Sequence, residues 1–154
     1  MYNMSKHIKK RHNVSLLMYH IVCPAKYRKI VFDDRIDEPL KTICFEIELR
    51  YEIVFLEIGT DKDHVHFLVQ SIPMNEPKKI VQIIKSITAI EVFRIHPEIK
   101  KKLRWWEFRS NGYYVNTVSA YNSEDEVMKY IQGQWKQDEY RLLHKCKYKQ
   151  AGLF

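Results

Sequence analysis

The sequence has few cysteines and no long apolar run, and these absences exclude several classes of protein. Its three cysteines, Cys23, Cys44 and Cys146, lie far apart and form no C-x-x-C motif. We therefore expect neither a disulfide framework nor a thiolate zinc site, and a reducing cytoplasm fits best. No segment approaches the roughly 20 apolar residues of a membrane span. The basic start, MYNMSKHIKKRHN, lacks the apolar segment of a signal peptide. A cytoplasmic protein without membrane contact is the expectation.

The composition predicts one folded domain with a basic surface. The chain has 154 residues, of which 45% are hydrophobic and 13% aromatic, enough for a real core. Its 26 Lys and Arg against 19 Asp and Glu give a net charge of +7. This excess favours a polyanionic partner, nucleic acid before membrane, because no long basic amphipathic helix appears. Without repeats or linkers, we predict a single domain over 1–154, with a core of about 12–137 and a basic C-terminal tail over 138–154.

Apolar periodicity predicts the element order β-α-β-β-α-β-α. Strands are predicted over 14–23, 51–59, 63–72 and 113–119, with a loop over 100–112. The first helix is predicted from Leu40, Ile43, Cys44 and Ile47, with Pro39 in its first turn, and the second from Ile80, Ile83, Ile84 and Ile87, ending by Pro97. Ser123 and Glu126 form a capping box that opens a last helix through about Gln137.

This order predicts an α+β fold of the ferredoxin-like, or split βαβ, plan. It has a four-stranded antiparallel sheet with helices on one face, and here an extra C-terminal helix follows. Because side chains alternate in a strand, Val65, Phe67 and Val69 should face the helices, with His64 and His66 on the open face. Two readings of these histidines are open: ordinary surface or hydrogen-bonded side chains, or half of a metal site. The fold alone does not decide the function.

The last predicted helix supplies further chemistry. Tyr130 and Gln134 are four residues apart and share one helix face. Two imidazoles, an amide and a phenol near a basic surface suit phosphodiester transfer, in which a divalent cation polarises a phosphate oxygen and tyrosine is the nucleophile. The phosphotyrosine ester conserves the bond energy, so strands can be rejoined without ATP. The donor set leaves Mg²⁺ and Mn²⁺ open as cofactors.

Four motifs occur in a telling order: YHIV followed by KYR, HVH, GYYVNTV, and Y-I-x-x-Q on the last helix. Together they resemble the TnpA-type transposases of the smallest bacterial insertion sequences, the single-tyrosine branch of the HUH endonucleases. The resemblance covers roughly residues 12–137. Any one motif is unspecific, and the ordered set carries the likeness.

The resemblance implies a role for each matched residue. His64 and His66 match the two metal ligands, and Gln134 matches the third. Tyr130 matches the nucleophile that attacks single-stranded DNA, forming a 5′-phosphotyrosine link and freeing a 3′-OH. The family binds subterminal DNA hairpins and works as a homodimer, in which the tyrosine helix of one subunit completes the other subunit's site.

Other basic residues are candidate DNA contacts. Lys26, Tyr27 and Arg28 could contact phosphate and stack on a base, although a solvated loop is an equally simple reading. Lys85 and Arg104 are further candidates for phosphate contacts. His20 is interpreted as structural.

Three alternatives are weighed against a transposase. A domesticated or inactive relative would bind hairpin nucleic acid without cutting it. A rolling-circle initiator or relaxase would be expected to be longer. An RNA-recognition-like binder predicts the pattern K/R-G-F/Y-G/A-F on its central strands, where this chain has HVHFLV.

Overall fold

The computed structural model describes residues 7–24, 33–61, 63–102, 112–118 and 141–145. The predicted last helix, with Tyr130 and Gln134, lies outside these residues. So do the candidate DNA contacts at 26–28 and Arg104. Within the described ranges, no helix is long and apolar enough to cross a membrane.

Seven strands and three helices are found in the described ranges. The strands are β1 (Ile8–Lys9), β2 (Val14–Ser15), β3 (Leu17–Pro24), β4 (Ile53–Asp61), β5 (His64–Ser71), β6 (Tyr114–Val118) and β7 (Arg141–Lys145). The helices are α1 (Asp34–Arg50), α2 (Pro77–Ile95) and α3 (Pro97–Lys102). The predicted first strand is thus two strands, and every other strand predicted before residue 120 is present with shifted ends. The mixed α+β class is confirmed.

The main sheet is antiparallel with the order β6-β3-β5-β4-β7, and β1 and β2 form a separate pair. The prediction of four strands was wrong by one, because 141–145, assigned to the tail, pairs with the edge of β4. Side chains hold this fifth strand in place. Arg141 donates to the Asp37 carboxylate of α1 at 2.6 and 3.0 Å, and His144 donates from Nε2 to the Phe55 carbonyl at 3.1 Å.

The core lies between one face of the sheet and the two long helices. The helix residues buried there are Ile36, Leu40, Ile43, Cys44 and Ile47 of α1, with Ile80, Val81, Ile84, Lys85, Thr88, Ala89 and Val92 of α2. Val65, Phe67 and Val69 of β5 belong to the same apolar cluster, which confirms that they face the helices. Ile83 and Ile87, predicted for the buried face of the second helix, lie at its border and are only partly buried.

One proline lies deeper in its helix than the sequence predicted, and another begins a short helix that was not predicted. Pro39 is in the second turn of α1, because the helix begins at Asp34. Proline has no N–H, so the carbonyl four residues earlier, on Arg35, lacks its usual helical donor. His96, at the end of α2, donates from Nε2 to that carbonyl at 3.1 Å. Helix α2 ends at Ile95, before Pro97 as predicted. Pro97 opens α3, which carries the buried Ile99 and extends to Lys102, into the loop predicted from residue 100.

Candidate metal and nucleic-acid site

The pair His64 and His66 lies on the central strand of the sheet, on the face opposite the helices. Strand register places Asp61 of β4 across from His64, and Gly59 across from His66. On the other side, β3 places Pro24 and Val22 opposite the same two histidines. Residues directly opposite each other in a sheet share a face, so these side chains surround the histidine pair.

Both histidines are buried, which corrects the prediction of an open face. His64 is 2% exposed and His66 is 1% exposed. The same face carries a second apolar cluster, formed by Met18, Leu56 and Leu68. The histidines therefore lie in a protected layer of the protein and contribute to its packing as well as to any site.

The His64 imidazole is oriented by a neighbouring carboxylate. Its Nδ1 donates to Asp63 Oδ1 at 2.6 Å. A carboxylate partner at Nδ1 fixes the tautomer, so that Nε2 is the nitrogen that would face a metal. Asp61 Oδ2 lies 3.8 Å from that Nε2. Carboxylate–histidine–metal pairs are common around metal ions because the carboxylate raises the basicity of the ligand.

Gly59 is the cross-strand neighbour of His66 and places no side chain beside the imidazole. Any other residue at position 59 would project a side chain onto the same face, next to the imidazole. Imidazole nitrogens are ligands for divalent cations, so the chemistry of the histidine pair fits a metal site. Among the residues that the structure describes, no group of three or more His, Cys, Asp and Glu side chains could hold a metal ion. The third predicted ligand, Gln134, lies outside them.

His20 lies beside the histidine pair, although the sequence predicted only a structural role for it. Its ring packs edge-to-face on His66, with centroids 5.8 Å apart. Burial lowers the pKa of His20 to about 4. Burial, followed by the nearby His20 and His64, lowers the pKa of His66 to about 3. A third imidazole in an apolar strand was visible in the sequence. Its position beside His66 could not be predicted without the pairing of β3 with β5.

These lowered pKa values predict acid sensitivity of the metal-free fold. His20 and His66 stay neutral when folded but take up protons below 6.5, their ordinary pKa, when unfolded. The contribution of these two groups to stability is therefore fully present above pH 6.5. It is lost as the pH falls toward their pKa values in the folded protein. At pH 5 the free energy of unfolding should be lower by about 2 kcal/mol for each group, because each pH unit below 6.5 costs about 1.4 kcal/mol. Urea unfolding with a chelator at pH 5 and pH 8 measures this.

The control for this prediction is His20→Leu, which removes one of these two buried imidazoles. Between pH 8 and pH 5, the free energy of unfolding of this variant should fall by about 2 kcal/mol less than that of the wild type. An equal pH dependence in both proteins would contradict the assignment.

Lys85 is buried on α2 rather than exposed to solvent. Its Nζ donates to the Gly112 carbonyl at 3.1 Å and lies 5.7 Å from the centre of the Tyr113 ring. It thus ties α2 to the residues before β6. Its predicted role in contacting phosphate stays a prediction, as do those of Lys26, Tyr27, Arg28 and Arg104.

Comparison with known proteins identifies the family to which the chain belongs. Residues 13–134 match a family model described as IS200-like transposase. The chain belongs to that family, the TnpA-type transposases of small insertion sequences. Membership makes it a DNA-acting enzyme of transposition.

Individual relatives agree with this assignment. The ISDra2 transposase TnpA of Deinococcus radiodurans is 29% identical over 126 residues, covering 82% of this chain and 89% of that protein. The IS200 transposase of Salmonella typhimurium is 26% identical over 121 residues, covering 79% and 78%. A crystal structure of a Deinococcus radiodurans protein described as a transposase superposes with a TM-score of 0.67 at 27% identity, covering 82% of this chain and 97% of that one.

Proposed function

We propose that this transposase cuts and rejoins single-stranded DNA at hairpin-bearing element ends, using a divalent metal and Tyr130. One observation carries the proposal: His64 and His66 are buried side by side on the central strand, with His64 oriented by Asp63. Paired imidazoles on one strand are what the HUH branch of nucleases requires. The order β6-β3-β5-β4, joined through α1 and α2, supports the ferredoxin-like plan for the core.

The protein residues of the metal site would be His64, His66 and Gln134. When bound, Mg²⁺ or Mn²⁺ supplies a Lewis acid that polarises a non-bridging phosphate oxygen. Asp63 keeps His64 in the tautomer with Nε2 toward the metal. Gly59 places no side chain between β4 and the His66 imidazole. The burial of both imidazoles excludes bulk water from the site. Burial also favours the neutral, ligating form of His66.

The chemical step that we propose is an ester exchange at phosphorus. The Tyr130 oxygen forms a bond to the scissile phosphorus as it loses its proton, and the bond from phosphorus to the 3′-oxygen breaks. That oxygen takes up a proton and leaves as a 3′-OH, and the downstream strand stays attached as a 5′-phosphotyrosine. Attack by another 3′-OH reverses the step and joins a new strand.

We further propose a homodimer with shared sites, in which the helix bearing Tyr130 and Gln134 completes the histidine pair of the other subunit. Lys26, Tyr27, Arg28 and Arg104 would contact the strand near this site, and the net charge of +7 supports such binding. Lys85 would contribute to DNA binding indirectly, through its hydrogen bond to the Gly112 carbonyl.

The test is incubation of the full chain with a pool of single-stranded hairpin DNAs and Mn²⁺ or Mg²⁺. A protein–DNA adduct that survives denaturation is expected, and it should be absent with a chelator or with the fully duplex form of the same DNA. Hairpin binding without any adduct would overturn the proposal and favour an inactive or domesticated hairpin-binding relative.

A further inference from the structure

Strand register places one exposed tyrosine in line with the histidine pair. Tyr114 of β6 lies across from Val22 of β3, which lies across from His66 of β5. These three side chains share the face that holds the candidate metal site. Tyr114 is 50% exposed, whereas His66 is buried. His66, Val22 and Tyr114 therefore form a row across the sheet, from the buried site to the protein surface at the β6 edge.

Ring contacts connect the two ends of this row. The His20 ring packs edge-to-face on both rings, with its centroid 5.8 Å from that of His66 and 6.3 Å from that of Tyr114. Because these two distances share the His20 ring, the Tyr114 and His66 rings are at most about 12 Å apart. A nucleotide close to a phosphate at the histidine pair can reach Tyr114 over that distance.

The adjacent Tyr113 has a different environment. Its exposure, 40%, is close to that of Tyr114, but its ring lies near Lys85 of α2, on the helix side of the sheet. Two neighbouring tyrosines of similar exposure thus have different surroundings: Tyr114 points along the site face and Tyr113 is engaged by a helix lysine. Tyr113 can therefore serve as the control residue for Tyr114.

We propose that Tyr114 stacks on a base of single-stranded DNA beside the phosphate that occupies the His64–His66 site. Proteins that bind single strands stack bases on aromatic side chains beside positively charged surface. Tyr114 is an exposed aromatic ring on a chain with a net charge of +7. The stacking would position the strand for cutting. The inference rests on the proposed function for the location of the phosphate, while the stacking itself can be measured without any cutting.

Binding measurements test the stacking directly. With chelator present, the full chain is titrated against a labelled hairpin with a single-stranded flank and against an unstructured oligothymidine. Tyr114→Ala should weaken binding about 5- to 150-fold, the range for loss of one stacked base. Tyr114→Phe keeps the ring and should bind as wild type, and Tyr113→Ala should change binding less than twofold. Thermal unfolding shows whether each variant is folded.

Photocrosslinking uses the wild-type chain, so its result does not depend on whether a variant folds. Strands carrying 5-iodouracil at one position at a time should crosslink to Tyr114 from one or two adjacent positions, and not to Tyr113. Equal affinity of Tyr114→Ala and wild type, or crosslinks that avoid Tyr114, would overturn the inference even if the covalent adduct forms normally. Failure of the adduct with Tyr114-dependent binding intact would instead overturn only the proposed chemistry.

Discussion

Replacing Tyr130 with phenylalanine should abolish the covalent DNA adduct while leaving hairpin binding within about twofold of wild type. Loss of a covalent nucleophile removes the bond-forming atom, and such losses cost at least about 10³-fold in rate. The ring itself remains, so packing changes little. Adduct yield on a denaturing gel and hairpin affinity by fluorescence anisotropy measure the two effects. An adduct of normal yield, or one mapped to Tyr113 or Tyr114, would contradict the role of Tyr130.

The same variant tests the shared site. Mixed with His64→Ala, it should form heterodimers in which one site combines an intact Tyr130 with intact histidines, and the other site carries both lesions. Activity should return to at most about half per heterodimer, with the labelled adduct on the His64→Ala chain. If each subunit used its own tyrosine, mixing would restore nothing, because neither chain would hold a complete site.

Replacing His66 with alanine should abolish metal-dependent cutting and also lower stability. The first effect follows from losing one of two imidazole ligands. The second follows from burial: His66 is 1% exposed, so alanine leaves a cavity, and the loss should be about 2 kcal/mol or more. Titration calorimetry with Mn²⁺ measures metal affinity, and urea unfolding measures stability.

The matched control for this second prediction is His20→Ala. His20 is 4% exposed and packs against His66, but it is not a predicted ligand. It should lose comparable stability and retain Mn²⁺ binding within a few-fold. Equal loss of metal affinity in the two variants would show that packing, and not ligation, explains the His66 result.

Local patterns predicted most of the elements because each pattern is carried by neighbouring residues. The spacing of Leu40, Ile43 and Ile47 identified the buried face of α1, and the alternation in β5 separated its apolar residues from His64 and His66. The motif order identified the family, which the comparisons confirm. These features need no knowledge of strand pairing.

Features that depend on distant partners were not predicted. The fifth strand requires Arg141 to meet Asp37, 104 residues away. The second apolar cluster, on the face of the histidine pair, joins Met18, Leu56 and Leu68 from three different strands. His20 joins that pair only through the register of β3 against β5. Sequence periodicity carries no information about such pairings, because register is set by the assembled sheet.

The contact between His96 and the Arg35 carbonyl has a consequence for how the chain folds. Helix α1 carries Pro39, which removes one of its internal hydrogen bonds, and the replacement donor lies 61 residues further along the chain. The first turns of α1 are therefore incomplete until the end of α2 has docked. We expect the two helices to form one cooperative unit, whose amides exchange with solvent together rather than separately.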